Sequence, residues 1–247
     1  YYLKVTDSSG ADILWPPGGS IAPYTFYVGP LEEVWCENFN SGDGGFTHAL
    51  LDGTDQEGAD DWIYGSPGGL SGDPVEAYSG QEIWGNDRGG GNYNGAYQSN
   101  ITNRLTSVPV DIGSDTTLIL QYRRWLNVED GQYDHARVYA NDAVVWENHS
   151  SGQRAGGENT EDVDWVLHTL RLDNLSNPLS LGWEIESDGG LELGGWNIDD
   201  ICLYRISEDA QIPDTGDSSF LPDDTGDNIP GTQDSGKGIN LSPVCGC

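Results

Sequence analysis

Thr117-Leu-Ile-Leu-Gln-Tyr-Arg-Arg-Trp-Leu-Asn-Val128 decides the fold class. Leu118, Leu120 and Tyr122 fall on one side of this stretch, and Ile119, Gln121 and Arg123 on the other. Successive side chains of extended backbone point to opposite faces, so an alternation this long predicts a β-strand buried on one face. Working outward, residues 135–147, 165–172, 179–186 and 196–206 repeat the style. Shorter candidates lie at 34–40, 77–84 and 103–112. Clusters of Gly, Asn and Asp separate them, as tight turns require, and no window carries an apolar stripe at helical spacing. Many strands joined by Gly-rich connections predict an all-β fold, a jelly-roll β-sandwich over residues 31–206.

Composition bounds the rest. The chain has 247 residues, 35 of them Gly, with ten Lys plus Arg against 41 Asp plus Glu, a net charge of −31. Such a charge repels phosphate backbones and anionic headgroups, which excludes nucleic acid as a partner. There is no apolar run long enough for a transmembrane helix, and the sequence does not open on a charged and then apolar leader. Nine Trp, twelve Tyr and four Phe nevertheless supply large apolar surfaces for a core.

Residues 1–30 read as two extended segments, 1–6 and 24–28, separated by turn residues. Two strands bury no core alone, so this segment packs on the following domain, completes another, or adds to a neighbour's sheet. Residues 207–247 form an acidic Asp/Gly/Thr linker. Asp214-Thr-Gly-Asp217 recurs there as Asp224-Thr-Gly-Asp227, before Cys245-Gly-Cys247.

Motifs for catalysis are missing: no His-Glu-x-x-His, no Gly-x-Ser-x-Gly and no P-loop. Glu184-Ile-Glu186-Ser-Asp188 reads as acids on a solvent-facing strand rather than a glycosidase pair. The sequence therefore predicts a non-enzyme. The four Cys at 36, 202, 245 and 247 have no zinc-type spacing with His, and their even number favours an oxidising exterior.

Trp35-Cys-Glu-Asn-Phe39 opens the body, and Gly194-Gly-Trp-Asn-Ile-Asp-Asp-Ile-Cys202 closes it. Between them come Asp60-Asp-Trp-Ile-Tyr-Gly-Ser-Pro67 and Tyr133-Asp-His-Ala-Arg-Val138. In this order the residues resemble the MAM-like jelly-roll modules of secreted bacterial proteases and surface proteins. The likeness spans residues 34–206. It implies a non-catalytic module, frequently with a structural cation, that serves adhesion or docking. Tyr1 to Gly29 resembles the last strands of an upstream immunoglobulin-like domain. The Cys-Gly-Cys tail is similar to the start of a processed myxobacterial C-terminal sorting signal.

In a jelly roll the first and last strands lie side by side. That adjacency places Glu37 and Asn38 opposite Asp199 or Asp200 as calcium ligands, only one of the two aspartates facing a given side. The loop carrying Asp55 and Asp61 is a second calcium candidate. The same adjacency selects Cys36–Cys202 from the three possible pairings, leaving Cys245 and Cys247 for an intermolecular link or an anchor. Trp62, Trp84, Trp125, Trp146, Trp165, Trp183 and Trp196 offer rings for a sugar-stacking platform, but most fall at alternating strand positions or landmarks of the family, so the expectation is a core role. Arg88, Tyr93 and Tyr97, in a Gly-rich loop, are the exposed glycan-contact candidates. The expectation is an extracellular or cell-surface protein, stabilised by calcium, whose terminal extensions join copies into a homo-oligomer or filament. The alternative is a carbohydrate- or protein-binding accessory module of a secreted protease.

Overall fold

The computed structural model describes residues 1–6, 10, 12–16, 18–21, 23–25, 27, 29–54, 59–87, 94–152 and 157–207. Every regular element among them is a strand. In chain order they are β1 (Leu3–Thr6), β2 (Asp12–Trp15), β3 (Leu31–Glu37), β4 (Thr47–Asp52), β5 (Trp62–Gly65), β6 (Ile83–Asn86) and β7 (Thr102–Thr106). Then follow β8 (Thr117–Val128), β9 (His135–Ala140), β10 (Ala143–Glu147), β11 (Thr160–Glu161), β12 (Val166–Asp173), β13 (Leu181–Glu186) and β14 (Gly195–Ile206). The acidic tail from residue 208 on, with Cys245 and Cys247, lies outside the described residues.

Two antiparallel sheets make the sandwich. The larger runs β11-β8-β14-β6-β5, and the smaller runs β10-β9-β13-β7-β4. The two twelve-residue strands β8 and β14 pair along their length, and each carries two shorter strands on its outer edge. On β8 these are β12, opposite residues 117–124, and β11, opposite Asn127 and Val128. On β14 they are β6, at Asn197 and Ile198, and β3, at residues 201–206.

Leu118, Leu120, Tyr122, Leu126 and Val128 of β8 face the core, as the alternation predicts. They meet Leu105 of β7, Val138 of β9, and Leu181, Trp183 and Ile185 of β13 from the other sheet. β14 contributes Trp196, Ile198, Ile201 and Leu203, a set that changes parity midway. The ladder explains the change: Asp199 pairs with Arg123 but Cys202 with Gln121, so β14 holds one extra residue there. Asp200 takes a positive φ of 44° at that bulge. A bulge sets two consecutive residues against one on the partner strand.

Several sequence expectations need correction. Residues 135–147 are a hairpin, β9 and β10, turned at Asn141 with φ 53°. Residues Tyr24 and Thr25 are not in a strand. The partner of β1 is instead β2, in a separate two-stranded ribbon. β4 escaped the reading because it is a mostly exposed edge without alternation.

The N-terminal segment docks on its own sandwich. Tyr24 is buried, and Trp15 packs edge-on against it at 4.8 Å. Thr25 Oγ1 donates to Thr169 O at 2.7 Å, and Gly18 N to Glu158 Oε2 at 3.1 Å. Beneath Tyr24 lies a buried ion pair: Arg124 Nε and Nη2 donate to Asp162 at 2.8 and 2.9 Å. The Arg124 guanidinium is also 5.5 Å from the Trp146 ring. What stays outside is the ribbon face, where Leu3 opposes Trp15 and Val5 opposes Ile13, all exposed. A disulfide joins Cys36 of β3 to Cys202 of β14, which face each other in the ladder with Cα atoms 4.2 Å apart.

Candidate functional site

The outer face of β8 carries the residues that alternate with its core side chains: Gln121, Arg123 and Trp125. β12 pairs Leu167 with Arg123, so Trp165, just before that strand, comes up beside Trp125. Their rings meet edge to face at 6.0 Å. Tyr78 closes the row. Its ring lies 6.4 Å from that of Trp165, and the Arg123 guanidinium stacks over it at 3.8 Å. Trp125 and Trp165 are half-buried, and Tyr78 and Leu167 are exposed, with Val75 and Val163 solvent-facing nearby.

Both indoles are fixed through their N–H groups. Trp125 Nε1 donates to Gly72 O at 2.8 Å, and Trp165 Nε1 to Glu76 O at 3.1 Å. With the polar edge of each ring occupied, what remains at the surface is hydrocarbon. Asn127 Nδ2 also donates to Gly72 O, at 2.9 Å, so one carbonyl ties this loop to two side chains of β8.

The bulge on β14 positions Tyr78. Ser79 N donates to Asp199 Oδ2 at 3.0 Å, while Ser79 Oγ donates to Asp200 Oδ1 at 2.7 Å. The sequence reading allowed only one of these aspartates per face; the extra residue brings both to the same loop. Burial, and next to it the charge of Asp200, push the Asp199 carboxyl up to about 7 against its hydrogen bonds from Ser79 and Asp200. Glu37 and Asn38 do not share these contacts. Glu37 Oε1 accepts from Phe39 N at 2.7 Å, Asn38 Oδ1 accepts from Asn40 N at 3.2 Å, and Glu37 pairs in the ladder with Ile201.

Tyr97, expected as an exposed glycan contact, is a correction: its ring is 0% exposed. Its hydroxyl donates to Asp134 Oδ2 at 2.6 Å and its N–H to Leu193 O at 3.0 Å, so the loop turns it inward to satisfied partners. Arg88, Tyr93 and Asp55 lie outside the described residues. Asp61 is buried just before β5.

Three acids that the sequence did not group come together beside Tyr97, Asp188 among them from the run weighed above as a glycosidase pair. Glu129, Asp134 and Asp188 bring carboxylate oxygens within 4.8 Å of one another. Asp188 N donates to Asp134 Oδ1 at 2.8 Å, and burial raises the Asp134 and Glu129 carboxyls.

The tryptophans divide. Trp62, Trp183 and Trp196 are fully buried, Trp84 is buried, and Trp146 packs against the core. Trp125 and Trp165, also expected in the core, are in the outer strip. The available signal was parity: Trp125 shares its side of β8 with Gln121 and Arg123.

No family model matches the chain. Bacillopeptidase F of Bacillus subtilis (strain 168) is 26% identical over 168 residues, 68% of this chain and 10% of that protein. The chain therefore spans about a tenth of the length of the curated relative it matches. Among solved structures, the K1 cleaved adhesin domain of Lys-gingipain from Porphyromonas gingivalis W83 is 16% identical with a TM-score of 0.42. That match covers 70% of this chain and 98% of the domain. The K3 cleaved adhesin domain of the same protein is 17% identical, TM-score 0.41, covering 71% and 99%. TmCBM61, solved with β-1,4-galactotriose, is 13% identical, TM-score 0.39, covering 68% and 94%.

Proposed function

We propose that this chain is a non-catalytic, extracellular accessory module that holds an extended, neutral glycan on the strip formed by Tyr78, Trp125 and Trp165. The observation that carries the reading is the immobilised aromatic row. Two indoles have their N–H groups tied to carbonyls, and a tyrosine is capped by Arg123, leaving apolar ring surface on the outer face of a sheet. The apolar faces of sugar rings stack on such surfaces, and flanking polar groups fix orientation. An open strip suits a chain running across it rather than a single enclosed sugar. The net charge of −31 works against polyanionic glycans and favours neutral ones. The Cys36–Cys202 disulfide fits an oxidising exterior.

The test is affinity electrophoresis against a panel of soluble neutral polysaccharides, comparing the full chain with Trp125→Ala and Trp165→Ala. A retarded wild type, with each variant weakened roughly tenfold or more, is the expected result. Wild-type retardation unchanged in both variants overturns the assignment of the strip.

A second reading is self-association, and the ribbon favours it. Leu3, Val5, Ile13 and Trp15 form an exposed apolar row on a two-stranded element. Sedimentation of the protein before and after Leu3→Lys plus Ile13→Lys tests it. Oligomers abolished by the pair would support association through the ribbon, and a monomer in both cases would reject it.

A further inference from the structure

Asp61 is 1% exposed and lies between the sheets. Its Oδ1 accepts Nδ2 of Asn86 at 2.8 Å from the neighbouring β6. It also accepts Nδ2 of Asn103 at 2.9 Å from β7 in the opposite sheet. Asn103 Nδ2 further donates to Ala59 O at 3.0 Å, and Asn86 Oδ1 accepts from Trp196 N at 2.9 Å. One carboxylate oxygen thus gathers amides from two strands, one in each sheet. The other, Oδ2, is buried with no hydrogen-bond partner among the described residues. A buried carboxylate oxygen without a partner is among the costliest groups to keep in an interior, so a native fold that retains one has a reason for it.

Across the ladder stands a second acid. Trp62 pairs with Asn86, and one step further Asp87 N donates to Asp61 O at 3.0 Å. Asp87 is 0% exposed, and its Oδ2 accepts from Asn94 N at 3.2 Å. Directly opposed residues of an antiparallel pair are close neighbours, and like charges there repel. Burial first, and the Asp87 charge with it, push the Asp61 carboxyl up to about 8 in spite of the two amides. Among the described residues Asp61 makes no ion pair with Lys, Arg or His.

We infer that Asp61 and Asp87 together bind a hard divalent cation, of the calcium class, at the adjoining ends of β5 and β6. Such an ion takes the bare Oδ2, removes the repulsion between the acids and accepts only oxygen donors. It completes its shell from backbone carbonyls and water. Because Asp61 also holds Asn103, the ion ties the two sheets together. The inference stands apart from the glycan reading, since neither acid touches the aromatic strip.

The experiment is calorimetric titration of the chelator-treated full chain with calcium, above neutral pH, for wild type, Asp61→Asn and Asp87→Asn. The expected result is one calcium site lost in both variants, or weakened by at least roughly tenfold, with other calcium equivalents unchanged. Circular dichroism confirms that each variant is folded. Wild-type stoichiometry and affinity in both variants overturn the site. Where a variant does not fold, wild-type crystals soaked in terbium decide. An anomalous peak between Asp61 and Asp87 supports the site, and its absence there refutes it.

Discussion

Trp196 and Trp125 stand one ladder place apart on neighbouring strands, opposite Leu126 and Asn197 respectively. Trp196 is sealed between the sheets, with its indole N–H donating to Glu184 O at 2.9 Å. Trp125 is outside, with its N–H donating to Gly72 O. Both rings are held by one hydrogen bond to a carbonyl. They differ in the face of the sheet, and that alone assigns one to stability and leaves the other's surface for a partner. Trp183 and Trp165 differ in face too, but the buried Trp183 indole N–H has no hydrogen-bond partner among the described residues, while Trp165 donates to Glu76 O.

The largest test of this contrast is Trp183→Ala. Its ring is fully buried against Tyr122 and Phe46, at 5.5 and 6.3 Å. Urea unfolding is expected to show a loss of about 3–5 kcal/mol from the cavity and lost transfer energy. A loss near zero would mean that the inner and outer tryptophans are not distinct.

Next comes the covalent tie in the larger sheet, between β3 and β14. Replacing Cys36 and Cys202 together by Ser should cost about 2–5 kcal/mol by the same unfolding assay, since a long closed loop no longer restricts the unfolded chain.

A smaller effect belongs to His168, on the inner side of β12. Its Nδ1 lies 2.7 Å from the Tyr122 hydroxyl, and its ring is 4.9 Å from that of Trp146. Burial, then the Arg124 charge, hold its pKa well below the ordinary value. The unfolded chain therefore binds a proton below about pH 6.5 that the native state refuses, and stability falls as pH drops through that point. His168→Gln should flatten this part of the profile relative to wild type in melts taken across mildly acidic pH. An unchanged slope would place the His168 ring in water.

The smallest stability change is expected at the outer face. Trp125→Ala should stay within about 1 kcal/mol of wild type while glycan retardation is lost. A loss as large as that of Trp183→Ala would make Trp125 a structural residue and break the comparison.

Alternation made β8 legible as a strand and marked its inner face, although Ile119 and Asn127 on the other face are buried as well. β14 was legible as a strand but not in its phase. The extra residue at Asp199 and Asp200 is placed by pairing with β8 and β3, which no local pattern records. The joint use of both aspartates on Ser79 was hidden for the same reason. Tyr97 shows the limit of composition: a Gly- and Asn-rich neighbourhood suggests exposure, yet a distant acid, Asp134, gives the phenol a buried partner. The aromatic strip was half legible. Parity marked Trp125, but Tyr78 reaches it from the loop between β5 and β6, where the sequence reading expected a strand over 77–84 and the strand starts only at Ile83.

The bond between Cys36 and Cys202 spans 166 positions and encloses every strand from β4 to β13. A single backbone cut anywhere inside that span separates no fragment from the other. A protease can nick any of the intervening loops once, and both pieces remain one molecule until a reductant arrives. On the extracellular reading proposed above, the loops become expendable to a first cleavage, and detachment requires a second cut or a change of redox conditions.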